Sequence, residues 1–174
     1  MKRYLILILV ATLVLSSGLW VGCAQKQSTV ELKAYLNKAS PIMQRHTETT
    51  ETTNQANRAC LTAVSSGNQV EVLKAVTTYK DTLEWALKRV DSELLDFKKL
   101  IPPAEARAFH SLMIDGLTKE QAGLGDMLSY YSSVLRYGFG DDTALDNANT
   151  LMLEAQQIWL QAQYELQDLM QNLE

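Results

Sequence analysis

The stretch of residues 145–173, LDNANTLMLEAQQIWLQAQYELQDLMQNL, decides the fold class. Its apolar residues recur at alternating steps of three and four, the spacing of one buried face on an α-helix. Asp141 or Asp142 can cap the start of this helix, where an acidic side chain also suits the helix dipole. The stretch therefore predicts a long amphipathic helix that packs against other helices. Its buried face comprises Leu145, Ala148, Met152, Ala155, Trp159, Ala162, Leu166, Leu169 and Leu173.

Two earlier segments show the same spacing, and no segment shows strand-type alternation. Glycine and proline cluster in only three places, residues 65–68, 102–103 and 138–140, which predicts short connections and antiparallel neighbours. The third helix is expected to begin at Pro103 and to stop at Gly138. The predicted buried residues are Val72, Val76, Tyr79, Leu83, Ala86, Val90, Leu94, Phe97 and Ile101 in the second helix, and Phe109, Met113, Leu117, Leu124, Leu128, Tyr131 and Leu135 in the third.

Three such helices leave a groove that a fourth helix could fill, and the region before Ser65 is the only candidate. This region contains residues 45–58, RHTETTETTNQANR, in which only Ala56 is apolar. The stretch could be a flexible tether, a binding surface or part of a helix. Apolar residues on both sides and a matching length of about 38 residues favour the helix. The chain is therefore predicted to be an all-α, antiparallel up-down-up-down four-helix bundle after an N-terminal signal peptide.

Continuing the apolar spacing from Met43 places polar residues at the middle core positions: His46 or Thr47, then Thr50, Asn54 and Asn57. Leu61 and Val64 follow as the next predicted core residues. Counting from the shared end of the bundle puts residues 47–54 level with residues 81–88, 119–126 and 153–160. That layer contains Trp85, Trp159 and two helical glycines, Gly123 and Gly125. The glycines either make room for Trp159 or border a polar cavity for a small ligand. The candidate ligand or partner contacts are Thr47, Thr50, Asn54, Asn57 and Trp159.

The N-terminus has the layout of a secretory signal. Lys2 and Arg3 precede the apolar run of residues 4–15, and small residues and LWVGCAQ follow. This end resembles a bacterial lipobox, although Trp20 stands where that motif usually has leucine. The resemblance implies that Gly22 is the last residue removed and that Cys23 becomes the lipid-modified, acylated N-terminus. The alternative is an uncleaved membrane helix over residues 4–24.

The expected organisation is a signal peptide at residues 1–22, a lipidated tether at 23–29 and the bundle at 30–174. The chain would then be exported and anchored to the bacterial cell membrane or outer membrane. Removing the two basic residues of the signal peptide changes the formal charge from −4 to −6. That charge argues against a nucleic-acid partner. Cys60, left without a partner cysteine, is expected to be a small buried hydrophobic residue, with a disulfide-linked dimer as the alternative.

The sequence contains none of the usual catalytic or cofactor motifs. It has two histidines, His46 and His110, and neither follows a glutamate at the spacing of bundle metal sites. His46 is expected to be an exposed polar residue and His110 a capping or packing residue. No glycine-rich phosphate loop follows a strand. The chain is therefore expected not to be an enzyme and to hold no metal or cofactor.

The connection Leu100-Ile101-Pro102-Pro103, followed by His110, resembles a motif in a group of small uncharacterised bacterial lipoproteins. The resemblance implies an extracytoplasmic helical domain. The preferred function is a lipid-anchored binding or scaffold module at the membrane surface, with another envelope protein or itself as partner. One alternative is a carrier with a polar mid-bundle cavity. The other is an oligomerising structural protein, because the last helix has an acidic, Gln-rich outer face without Lys or Arg. That face could instead be solvated, or could dock a basic or amide-rich helix.

Overall fold

The computed structural model describes residues 23–171 and residue 173, with side chains from Thr29 onward. The described part is helical, without β-strands, which confirms the predicted fold class. A short 3-10 turn, Ala104–Ala106, precedes the third helix. The four helices are α1 (Cys23–Ser66), α2 (Gln69–Lys98), α3 (Arg107–Tyr137) and α4 (Asp142–Gln171).

The helices pack as an antiparallel four-helix bundle in which each helix contacts the next along the chain most closely. α1 and α4 contact each other through side chains rather than through close backbone approach. The rings of His46 and Trp159 form one such contact. None of the helices within the described residues is long and apolar enough to cross a membrane. The run of residues 4–24 considered as a membrane helix lies almost entirely outside the described part.

Glycine and capping residues lie at the predicted connections between α1 and α2 and between α3 and α4. α3 begins at Arg107, after the 3-10 turn, and not at Pro103 as expected. Gly67 and Gly138 have φ angles of +69° and +82°, in the left-handed region that glycine enters without a Cβ penalty. Asn68 accepts a hydrogen bond from the Val70 backbone N–H at the start of α2. Asp141 does the same for the Thr143 N–H at 3.0 Å before α4. Of the two predicted caps for α4, the structure therefore uses Asp141.

The core follows the predicted apolar faces of α2, α3 and α4. The exception is Ile101, which is 90% exposed. α2 ends at Lys98, so Ile101 lies in the connection and is not carried inward by the helical repeat. Fully buried representatives of the core are Leu83, Ala86, Val90, Phe97, Phe109, Leu117, Ala148 and Ala155.

α1 runs through the threonine-rich stretch without a break, which confirms that residues 45–58 are helical. The helix has 44 residues, so it is about 66 Å long at 1.5 Å per residue. Pro41 lies inside it. Hydroxyls of Thr47, Thr52 and Thr53 donate to the carbonyl four residues earlier, at 2.8–3.0 Å, which satisfies them without a tertiary partner.

The N-terminal part of α1 covers the residues predicted to be a tether. The backbone of residues 23–29 is helical and continuous with the rest of α1. Gly22 and the remainder of the predicted signal peptide lie outside the described residues. For Cys23, the predicted lipid-attachment residue, the structure describes the backbone alone.

The buried face of α1 is shifted by one residue from the predicted one. His46, Thr49, Ala56 and Cys60 turn toward the other helices, which places Cys60 in the core as expected. Predicted core residues lie outside: Thr47, Asn54, Leu61 and Val64 are exposed, and Thr50 and Asn57 are partly exposed. The prediction took Met43 as the buried residue of its turn, whereas the buried residue is its neighbour Ile42. Every later position on the predicted face is therefore displaced by one residue.

Candidate functional site

A histidine from α1 lies between two glutamates from other helices in the middle of the bundle. The Nδ1 atom of His46 is 3.1 Å from Oε2 of Glu93 on α2. The Nε2 atom on the other side of the ring is 3.3 Å from Oε2 of Glu120 on α3. The imidazole therefore bridges two carboxylates and links three helices.

The fourth helix completes this arrangement through Trp159. Its ring lies beside that of His46, with centroids 4.6 Å apart and planes tilted by 37°. The Trp159 side chain also interacts with Glu120, and this interaction lowers the pKa of that carboxyl group. A Cβ atom on Gly116 of α3 would be only 3.0 Å from the indole ring, so the glycine provides the space that the ring occupies.

Thr49, one turn after His46, satisfies the remaining side of Glu93. Its hydroxyl oxygen is 3.2 Å from Oε1 of Glu93 and 2.9 Å from the carbonyl oxygen of Arg45. A hydroxyl has one proton, so it donates to one of these acceptors at a time. We refer to His46, Thr49, Glu93, Glu120 and Trp159 as the mid-bundle cluster.

The cluster is removed from solvent. Glu93 is 1% exposed and Glu120 is 5% exposed, and the His46 side chain is 13% exposed. Carboxylates are rarely buried so completely, because desolvation of an unpaired charge is very costly. Here each carboxylate faces a ring nitrogen of the same histidine, so the partners offset the loss of water for one another.

The geometry fixes how many protons the cluster needs. A neutral imidazole has one N–H donor and one acceptor nitrogen, whereas an imidazolium has two donors. Because both nitrogens of His46 face carboxylate oxygens, either the ring is charged or one carboxyl group carries a proton. The cluster thus holds one proton more than a neutral histidine and two carboxylates would.

The pKa directions agree with this arrangement. Burial lowers the pKa of His46, but the hydrogen bond with Glu93 and the charges of Glu120 and Glu93 outweigh it, so the pKa lies above its usual value. Burial raises the pKa of Glu120, aided by Glu93 and opposed by His46 and Trp159. The cluster therefore retains its protons more strongly than the same side chains in water.

The arrangement suits proton sharing rather than metal binding. A metal ion needs several ligands that converge on one point, whereas the two nitrogens of His46 point in opposite directions to different carboxylates. Within the described residues, no three His, Cys, Asp or Glu side chains form a group that could hold a metal ion.

Of the residues predicted as ligand or partner contacts, only Trp159 belongs to the cluster. Thr47 and Asn54 face solvent, and Thr50 and Asn57 lie at the edge of the interface. The expectation that His46 is exposed was wrong, because His46 occupies the buried face of α1. His110 packs against the rings of Tyr35 and Phe97, which confirms the packing interpretation.

Gly123 and Gly125, which were predicted to make room for Trp159 or to border a cavity, have other surroundings. Gly123 faces Met152, whose sulfur would be 3.0 Å from an added Cβ, and Gly125 has open space around it. The glycine that accommodates Trp159 is Gly116, about two turns earlier in α3.

The glutamates of the cluster were missed, although the sequence carries a signal for them. Glu93 follows Val90 by three residues and precedes Phe97 by four, so it continues the heptad face of α2. Glu120 fills the gap between Leu117 and Leu124 in the same way. An acidic residue at a core position of each of two helices, beside a histidine in a third, indicates a buried charge cluster.

Two grooves lie at the surface of the described part of the bundle, and neither is lined by a residue of the cluster. One lies between α1 and α2 and is lined by Thr52, Thr78, Asp81, Thr82 and Trp85. The other lies beside the connection before α3, next to Tyr35 and Lys38. The side chains of the cluster occupy the middle layer themselves.

A second candidate surface is the outer face of α4. Leu153, Leu160 and Tyr164 are 61%, 51% and 69% exposed. Their spacing of 7 and 4 residues places them within about 40° of one another around the helix. α4 has no Lys or Arg, and its exposed amide side chains surround this stripe: Asn147, Asn149, Gln156, Gln157, Gln161, Gln163, Gln167 and Gln171. We call this surface the α4 outer face.

Comparison of the chain with protein-family models, with curated proteins and with solved structures finds no match in any of the three.

Proposed function

We propose that the chain is an exported bacterial lipoprotein whose helical bundle binds a partner helix through the α4 outer face, without catalysing a reaction. The observation that carries the binding proposal is the exposed stripe of Leu153, Leu160 and Tyr164. Large apolar side chains aligned on one face of a surface helix are typical of association sites.

The anchor is supported by the sequence before α1. A basic start, an apolar run and small residues lead to Cys23, in the order of a lipoprotein signal. Attachment of two or more acyl chains holds a protein firmly, since each buried methylene contributes about 0.8 kcal/mol. α1 is described from this cysteine onward, so the bundle would be joined to the membrane by a helix.

Charge favours a basic partner over a second copy of the chain. α4 carries Asp142, Asp146, Glu165 and Asp168 and no basic residue, and its remaining acid, Glu154, is paired with Lys119 of α3 at 2.6 Å. Two copies of this face would bring acids toward acids, whereas a helix with an apolar stripe and flanking Lys or Arg would complement it. The exposed glutamines could donate and accept hydrogen bonds at the rim of such an interface.

The carrier alternative has less support. A carrier needs an enclosed space for its ligand. The middle layer is instead filled by the mid-bundle cluster, whose polar atoms satisfy one another. Oligomerisation through the α4 outer face remains the competing function, and the same exposed stripe favours it.

Processing in cells tests the anchor. Globomycin, which blocks lipoprotein signal cleavage, should make the full-length precursor accumulate, and Cys23→Ala should abolish incorporation of labelled palmitate. Processing that neither treatment alters would contradict the anchor while leaving the binding proposal intact.

Photocrosslinking in the cells that naturally produce the chain tests the α4 outer face. A benzoylphenylalanine at position 160 should give a discrete crosslinked species, and the same probe at exposed Leu95 on α2 should not. Leu153→Glu should remove the species. A crosslink between two copies would identify the protein as an oligomer, and no crosslink from position 160 would contradict a binding role for this face.

A further inference from the structure

The mid-bundle cluster has no part in the proposed lipid anchor or in the α4 outer face. It does, however, attach the middle of α1 to α2 and α3. Between residues 45 and 58 the only apolar side chain is Ala56, and it is partly buried. The hydrogen bonds of His46 and Thr49 therefore provide much of what holds these turns to α2 and α3.

Loss of one proton would break this attachment. A neutral His46 ring with two ionised glutamates can donate to only one of them. The other carboxylate would then face the lone pair of the ring nitrogen at about 3 Å in a site with almost no solvent. A buried carboxylate that loses one of its donors has less compensation for its desolvation, even though Thr49 still contacts Glu93 and Trp159 still interacts with Glu120.

We propose that the Glu93–His46–Glu120 cluster is a proton sensor, which fastens the middle of α1 to α2 and α3 while it holds its proton and releases these turns when the proton leaves. The occupant of this site is the proton itself. The inference does not depend on the lipid anchor or on the partner of the α4 outer face.

Among the groups around His46, its two glutamate partners control its protonation. α2 contributes Glu93, α3 contributes Glu120, and α4 contributes Trp159, which does not titrate. On α1, Arg45 pairs with Asp96 and Glu48 lies 3.8 Å from Arg89, both toward the surface. These outer pairs join α1 to α2 with permanently charged arginines, so they do not respond to pH near neutrality.

The direction of the response follows from the pKa shifts. A histidine whose pKa is raised by folding stabilises the fold fully below its unfolded value of 6.5, and this stabilisation is lost as pH rises through the folded pKa. Glu120, whose pKa is also raised, acts in the same direction from 4.5 upward. Burial raises the pKa of the Cys60 thiol above 9.0, so this group does not interfere between pH 6 and pH 8.5.

Hydrogen exchange of the full-length chain in mild detergent micelles tests the sensor. Protection of the backbone amides of residues 46–56, corrected for the intrinsic pH dependence of exchange, should fall at least tenfold between about pH 6 and pH 8.5. Protection of residues 31–40, which are held by apolar contacts, should stay constant over this range.

Matched variants distinguish the cluster from general loosening. His46→Gln removes the histidine titration and leaves that of Glu120, so the fall in protection of residues 46–56 should become clearly smaller. His110→Gln, which replaces the other histidine, should keep the response of the unmodified chain. If His46→Gln does not fold, Glu120→Gln serves instead. Its amide can donate to a neutral ring, so this variant should also weaken the response. A flat profile in the unmodified chain, or an equal fall in His46→Gln or Glu120→Gln, would overturn the proposal.

Discussion

The two histidines of this chain occupy layers of the same bundle with opposite chemistry. His46 bridges Glu93 and Glu120 in the middle, where the carboxylates raise its pKa. His110 lies nearer the end at which α2 connects to α3, with Nδ1 3.0 Å from the Tyr35 hydroxyl and its ring against Phe97. Burial without a charged partner lowers the pKa of His110.

The difference shows that burial alone does not decide what a histidine does in a helical bundle. Both rings contact aromatic side chains. The partners of the nitrogens decide the outcome, because a carboxylate stabilises the charged ring and a hydroxyl group among aromatic rings does not. The middle layer is therefore held by charge, and the layer around His110 by apolar and aromatic packing.

The largest effect should come from removing His46. His46→Ala leaves Glu93 and Glu120 buried without their shared donor, so we expect a loss of about 3–5 kcal/mol in the free energy of unfolding at neutral pH. His110→Ala, the matched control, removes a partly exposed ring and one hydrogen bond and should cost clearly less. Urea unfolding measures both; equal losses would remove the distinction between the two layers.

A pair of glycines on α3 tests the position of Trp159 beside His46. Gly116→Ala places a methyl group against the indole ring, so overpacking should destabilise the fold by about 1–3 kcal/mol. Gly125→Ala meets open space and should instead stabilise the helix by up to about 1 kcal/mol. Thermal unfolding by circular dichroism reports both signs. A stabilising Gly116→Ala would show that the indole does not press on α3.

Tyr35→Phe addresses the layer around His110. The change removes the hydroxyl that bonds to Nδ1 but keeps the buried ring, so we expect a loss of about 0.5–1.5 kcal/mol. The titration of His46 should stay where it is, since the two rings have separate partners. A shift in the His46 titration, followed by NMR, would mean that the two layers are coupled.

The smallest effect is expected at the surface pair between Arg45 and Asp96, whose side chains are 38% and 35% exposed. It joins the same two helices as the His46–Glu93 contact, one turn away. Because water competes for exposed charges, Asp96→Asn should cost less than about 1 kcal/mol, and less still at high salt. If Asp96→Asn lost as much free energy of unfolding as His46→Ala, the outer pair rather than the cluster would be what attaches α1 to α2.

The sequence was sufficient for the fold because its strongest signals are local. Heptad spacing in α2 and α4, glycines at positive φ and capping side chains each act within a few residues. The threonine-rich part of α1 was predicted to be helical from its flanks and its length, and it is helical. The predicted buried face of this part lies one residue away from the observed one. With so few apolar residues, the spacing gives little information about which side of the helix faces the core.

The cluster could not be placed from the sequence because it depends on how far the helices slide along one another. Counting from the connection put residues 81–88 of α2 beside the threonine-rich stretch, whereas Glu93 is the residue that meets His46 and Thr49. The displacement is about one helical turn, or 5.4 Å. Such a shift is settled by side-chain packing between helices, which spacing within one helix does not specify.

The most direct test of a proton-holding cluster is an NMR titration of the two histidine side chains in the full-length chain. The sequence contains two histidines, so the two ring signals can be assigned with the single variant His110→Gln. We expect His46 to titrate above 6.5 and His110 to titrate below it. A His46 signal that titrates at or below 6.5 would contradict the claim that Glu93 and Glu120 hold a proton on this site.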